Sequence, residues 1–254
     1  MAGAEGTKTS ELAVRAATAF LMVMVSGLAL WLGGIWWVVF VLLIGAGVWF
    51  EWSTLSILMY PPGGKRTAWR AGGAIYCGIA AGMLLTLRDL PYGFFWVLLV
   101  VGAVIGTDIG AYFLGRIIGG PKIAPAISPS KTWAGLAGGI CGASLIIAWL
   151  ASLLDNPGFL AFVADSQSAP HDTYEMQLHP FASGSSMVLT GAVVAVIAQT
   201  GDFFESWMKR RAGVKDSGKL LPGHGGLFDR GDGLLSVLAV LGTIFLVARL
   251  TGAM

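Results

Sequence analysis

Seven stretches of the chain, near residues 13 to 32, 35 to 52, 71 to 87, 93 to 116, 134 to 154, 186 to 207 and 233 to 251, are strongly apolar and carry few charges. A helix needs roughly 20 apolar residues to cross about 30 Å of hydrocarbon, and each of these runs comes close to that length. Lipid offers no hydrogen-bond partner to an open strand edge, so segments of this kind must be helical. The pattern predicts an all-α, polytopic membrane protein with seven transmembrane helices, organised as one membrane domain over residues 1 to 254. An eighth, re-entrant or broken helix has room between 93 and 132. The first run follows the polar leader MAGAEGTKTSELAVR, has no persuasive cleavage site and is expected to stay in the protein as its first span.

Composition agrees with the pattern. Hydrophobic residues make up 56% of the chain and charged residues 12%, with a mean hydropathy of +0.75, which excludes an ordinary soluble domain. The net charge of +2 gives no basis for a nucleic-acid partner. Cys77 and Cys141 lie singly inside apolar runs, where they read as small buried side chains without metal-ligand or disulfide spacing.

The placement of basic residues sets an orientation. Lys8 and Arg15, then Lys65, Arg66 and Arg70, then Arg116, Lys122 and Lys131, and finally the 208 to 232 connection fall on alternate sides of the spans, and so on one face of the membrane. The 155 to 185 connection holds Asp155, Asp165, Asp172 and Glu175 without a single Lys or Arg. These features predict a cytoplasmic amino terminus and an external carboxyl terminus. Trp31, Trp36, Trp37, Trp49 and Trp52 sit near predicted span ends and are expected to anchor in the headgroup region. Gly102, Gly106 and Gly110 recur every four residues in the fourth span, a spacing that lets another helix approach closely. A homodimer through this glycine-rich face is one expectation.

Ionisable groups in spans are costly, so each is a candidate for function. They gather in two places. Asp108, Tyr112 and Arg116 share one helical face at the end of the fourth span, followed by a connection containing Ser130 and Lys131. A private contact between Asp108 and Tyr112 or Arg116 is the plainest account of that face. The second group begins with Gln199, Asp202, Ser206 and Lys209, which lie on one stripe expected to face protein or water. It continues through Arg210, Lys215, Asp216, a turn containing His224, Gly225 and Gly226, and then Asp229, Arg230 and Asp232. Basic side chains suit phosphates, glycines free backbone N–H groups, and carboxylates suit a hard cation. A charged flank, a tight turn and a helix cap could each explain one piece, but not carboxylates on both sides of a basic, glycine-rich loop.

The run Ser206-x-x-Lys209-Arg210-x4-Lys215-Asp216-x5-Pro222-Gly223-His224-Gly225-Gly226-x-x-Asp229-Arg230-x-Asp232 resembles the signature of bacterial phosphatidate cytidylyltransferases, the CDP-diacylglycerol synthases. The upstream Asp108-x-x-Ala-Tyr112 and Ser128-Pro-x-Lys131-Thr-Trp133 segments are similar to the family as well, in the expected order. Together they place the catalytic half at about residues 100 to 235, with its signature at 202 to 232. Ser130, where a second basic residue is common, and Gly231, where an apolar residue is usual, depart from the family pattern.

The resemblance implies transfer of a cytidylyl group from CTP to phosphatidate in the bilayer, releasing pyrophosphate. It implies Asp202 and Asp229 as principal ligands of magnesium or another divalent cation, with Asp216 and Asp232 supporting and a second metal conceivable. Lys209 and Lys215 join Asp202, Asp229 and Asp216 as the catalytic set. Lys131, Ser206, Arg210, His224, Gly225, Gly226 and Arg230 are assigned to substrate phosphates, and Asp108 and Tyr112 to support. The location implied is the inner, cytoplasmic membrane, with the site on the cytoplasmic side. A CTP-dependent transferase acting on a prenyl glycerol phosphate or an isoprenoid alcohol, and a transporter lined by the same carboxylates, are the competing readings.

Overall fold

The computed structural model describes residues 2–154, 156–165, 183–221, 223 and 225–253. In chain order it contains α1 (Ala2–Leu32), α2 (Gly34–Met59), α3 (Gly64–Asp89), α4 (Gly93–Ile117), β1 (Lys122–Ala124), β2 (Ser128–Thr132), α5 (Trp133–Leu153), α6 (Pro157–Asp165), α7 (Gly184–Ala212) and α8 (Phe228–Leu250). Among the described residues, seven helices are long and apolar enough to span a bilayer: α1 from Ala13 onward, α2, α3, α4, α5, α7 and α8. They match the seven expected runs, and the chain is a multi-pass membrane protein. Leu43 and Leu145, 68% and 70% exposed, show the apolar outward face that lipid requires.

The chain forms two compact units, one of Met1–Ala81 with Met208–Gly231 and the other of Gly82–Trp207 with Asp232–Met254. In the second unit, Phe95, Leu99, Ala103, Ala143, Ile147, Leu150 and Val163 make one buried cluster, and Val104, Ala198 and Val237 make another. Lipid tails are as apolar as these side chains, so close van der Waals packing holds such clusters together more than escape from water does.

That packing is tightest where α4 meets α5. A Cβ on Gly106 would sit 2.7 Å from the Gly142 carbonyl oxygen, and one on Gly142 would collide with the Gly106 carbonyl in return. The glycine face of α4 is thus occupied by α5 of the same chain rather than left open to a second copy. Gly142→Val is expected to lower stability by about 1 to 3 kcal/mol or more, because the backbone it meets cannot move aside. Gly78→Ala, at a helical position with open space around it, is expected to be neutral or slightly stabilising. Thermal unfolding of the two purified variants in detergent checks both.

Several local features differ from the sequence expectation. Cys77 is buried as expected, but Cys141 is exposed on α5. The 118 to 132 connection holds no further helix: Lys122 pairs with Thr132 and Ala124 with Ser128 in an antiparallel hairpin. The Thr132 side chain accepts a hydrogen bond from Gly135 N at 3.0 Å, which caps α5 and ends the hairpin. Helices α7 and α8 reach further than their apolar cores, so Lys209 is helical as its stripe with Asp202 and Ser206 predicts, and Arg210, Arg211 and Asp229 are helical rather than in a loop. Trp37 and Trp52 are buried rather than interfacial. The Trp52 indole donates to Trp69 O at 2.8 Å and packs on Tyr76 and Phe228, the acceptor and ring surface a buried indole usually finds, whereas Trp37 Nε1 has no hydrogen-bond partner among the described residues.

Candidate active site

In the second unit, the end of α4, the hairpin and α7 line a cavity of about 530 Å³. Lys131, the penultimate residue of β2, forms a salt bridge with Asp202 of α7 and lies 5.5 Å from the centre of the Phe203 ring. The hairpin is what delivers this lysine, since its short register aims alternate residues of β2 to opposite sides. Asp108 on α4 opens onto the cavity and lies within the field of both Asp202 and Lys131. On α8, Asp232 is within hydrogen-bond reach of the Asp202 carboxyl, and its Oδ1 accepts from Gly233 N at 3.0 Å. Two carboxylates this close repel unless a cation lies beside them, and here Lys131 supplies it.

Arg116 and Lys122 line the same cavity. Arg116 donates to the Tyr112 hydroxyl at 2.8 Å and stands over the Tyr112 ring. The shared face of α4 therefore splits, with Tyr112 engaging Arg116 while Asp108 turns toward Lys131 and Asp202. Gln199 is buried at the cavity wall, and its Nε2 has no hydrogen-bond partner among the described residues.

In the first unit, Lys209 Nζ donates to Asp229 Oδ1 at 2.6 Å, with the two side chains only 15% and 10% exposed. The Asp229 carboxylate also accepts from Ser217 N at 2.9 Å and Gly226 N at 2.9 Å. Gly225 has φ +86°, and a Cβ there would press on Asp229 Oδ2 at 3.2 Å and approach Asp216, so only glycine fits this turn without strain. Leu221 N donates to Gly225 O and closes the turn. Lys215, Asp216, Arg210 and Arg230 are exposed around it, and Ser206 is half-buried on α7. His224 lies outside the described residues.

The structure thus gives each of the two leading carboxylates a lysine partner within its own unit. Asp202 has Lys131 and Asp229 has Lys209. Among the described residues, no group of three or more His, Cys, Asp or Glu is placed to hold a metal ion. The contact of Asp202 with Asp232 is nevertheless the donor chemistry a hard divalent cation selects.

One residue escaped the sequence reading. Glu51 of α2 is 1% exposed, and its carboxylate accepts from Ser217 Oγ at 3.0 Å, Leu227 N at 3.0 Å and Phe228 N at 2.8 Å. The signal was present, since an acidic residue inside the run Val48-Trp49-Phe50-Glu51-Trp52 is costly in lipid and demands a partner.

The sequence profile of the cytidylyltransferase family matches residues 56–248, a stretch that contains both lysine–aspartate pairs. A phosphatidate cytidylyltransferase of Brucella suis is 32% identical, covering 93% of this chain and 95% of the relative. The corresponding proteins of Rickettsia bellii and Pseudomonas aeruginosa are 31% and 32% identical, covering 84% and 81% of this chain and 80% and 69% of theirs. With a profile match running across most of its spans and relatives aligned over nearly its whole length, this chain belongs to the cytidylyltransferase family.

Proposed function

We propose that this protein is a phosphatidate cytidylyltransferase, converting CTP and phosphatidate to CDP-diacylglycerol and pyrophosphate. The observation that carries the reading is the pairing of each leading carboxylate with a lysine, Asp202 with Lys131 and Asp229 with Lys209, inside the segment matched by the family profile. A phosphate oxygen of the lipid attacks the α-phosphorus of CTP, the bond from that phosphorus to the α–β bridging oxygen breaks, and pyrophosphate leaves. The nucleophile is already ionised near neutral pH, so no strong base is needed. The barrier is the approach of two anions and the charge gathering on the leaving group, which fixed cationic groups lower.

In this reading Lys131, Lys209, Lys215, Arg210 and Arg230 hold substrate phosphates, with Ser206, His224 and the N–H group of Gly225 as further donors, while Gly226 N–H holds the Asp229 carboxylate. Tyr112 keeps Arg116 in place at the cavity wall. Asp202 and Asp232, neighbours within one unit, would hold magnesium there with Asp108 in support, and Asp229 and Asp216 of the other unit would hold a second divalent cation. A bound divalent cation supplies charge neutralisation and orientation of the triphosphate. Lys131 and Lys209 would then turn from their carboxylates to phosphate. The site faces the cytoplasm across the inner membrane, where soluble CTP reaches it from one side and phosphatidate from the bilayer.

The test is transfer of radiolabel from CTP into a chloroform-soluble product by purified protein, with and without phosphatidate and with magnesium or a chelator. Product that requires both is the expected result. Label entering a prenyl lipid instead, or equal product in chelator, would refute the acceptor or the cation assignment respectively.

A further inference from the structure

Glu51 lies on α2, far in sequence from the signature, yet its carboxylate is fully engaged with it. Oε1 accepts from Leu227 N, while Oε2 accepts from Phe228 N and from the Ser217 hydroxyl. Leu227 N and Phe228 N are donors at the start of α8, which have no carbonyl one turn earlier to bond. Glu51 therefore caps that helix from another segment, and the negative charge sits where the helix dipole favours it.

Two glycines show that the backbone is shaped around this carboxylate. A Cβ on Gly226 would lie 2.6 Å from Glu51 Oε2, and one on Gly218 would lie 2.6 Å from Glu51 Cδ. The 217–218 and 226–228 segments thus close on the side chain from both sides with no space for a methyl group.

The same two segments hold Asp229. Ser217 gives its hydroxyl to Glu51 and its backbone N–H to Asp229, while Gly226 N–H donates to Asp229 and the next two N–H groups donate to Glu51. We infer that Glu51 is a positioning residue for the cytidylyl transfer: it fixes the 217–218 loop against the first turn of α8, and through them the carboxylate of Asp229 and its partner Lys209. This rests on the reading that Asp229 and Lys209 serve the reaction.

Glu51→Gln is nearly isosteric and leaves no void. Its amide nitrogen must replace one oxygen, so at least one backbone N–H at the start of α8 faces a donor. Supporting residues of this kind change activity about 10- to 100-fold when removed. The expected result for the purified full-length variant is a fall of about 10- to 100-fold in kcat, with KM for phosphatidate held within about twofold. Hydrogen exchange should accelerate in the peptide containing Leu227 and Phe228 while the rest of α2 stays protected. Ser217→Ala removes a single arm and should shift kcat in the same direction by a smaller factor. The double variant should lose less than the product of the two single losses, because both changes break one shared contact.

A Glu51→Gln enzyme with wild-type kcat would overturn the inference. So would a loss that tracks only the fraction of folded protein, or multiplicative losses with unchanged exchange at 227 and 228. Asp229→Asn measured alongside separates the two levels. Full turnover by that variant would remove the role of Asp229 itself, whereas an inactive Asp229→Asn beside a fully active Glu51→Gln would remove only the role of Glu51.

Discussion

Asp202→Asn is expected to lower CDP-diacylglycerol formation by about 10²- to 10³-fold, the scale on which one electrostatic group at a reacting centre acts. The change keeps shape and volume but removes the charge that balances Lys131 and that lies against Asp232. Lys131 would lose its partner, and the carboxyl pair that suits a divalent cation would be reduced to one. The magnesium concentration for half-maximal rate should rise with the loss of rate. Initial rates with labelled CTP across a magnesium titration check both effects, together with a gel-filtration profile showing normally folded protein. Full turnover at ordinary magnesium would contradict the assignment of Asp202.

The second large effect is expected at Lys209. In the structure its ammonium group is the charged partner of Asp229 at 2.6 Å, and both side chains are largely buried. Lys209→Ala should reduce kcat/KM about 10- to 100-fold, as for loss of a hydrogen bond to a charged group, chiefly through a higher requirement for CTP or phosphatidate. Lys209→Arg keeps the charge but replaces a compact ammonium with a planar fork, so it should recover only part of the loss. Kinetics with each substrate varied in turn decide which one Lys209 holds. Unchanged constants in Lys209→Ala would leave it as a basic flank that only orients α7.

The spans were legible because about 20 consecutive apolar residues have few other uses, and the glycine spacing of α4 correctly announced a close helix contact. The hairpin was not legible. Its strands, Lys122–Ala124 and Ser128–Thr132, are too short to show the alternation that marks a half-buried strand. The turns that carry Arg210, Arg211 and Asp229 were missed for a related reason: charged residues flanking an apolar run look like a loop in the sequence, although the helices continue through them. Trp37 and Trp52 were misplaced because position near a span end does not reveal whether protein or lipid faces the ring.

The site was legible as a set of chemical groups but not as an arrangement. Sequence order joined Asp202, Lys209 and Asp229 into one signature, whereas Lys131 reaches Asp202 from β2, 71 residues earlier. Glu51, 166 residues before Ser217, shares no local pattern with the loop it holds. Such contacts are set by tertiary packing, which no spacing rule along the chain encodes.

The glycine-lined contact between α4 and α5 also bears on the order in which the protein is built. These two helices are neighbours along the chain, joined by the connection that contains the hairpin, so both are made before α7. Asp108, inside α4, and Lys131, at the end of the connecting hairpin, both precede Asp202 in the chain. A chain made from its amino terminus therefore holds Asp108 and Lys131 before it holds the carboxylate that pairs with Lys131, and α7 brings that charge.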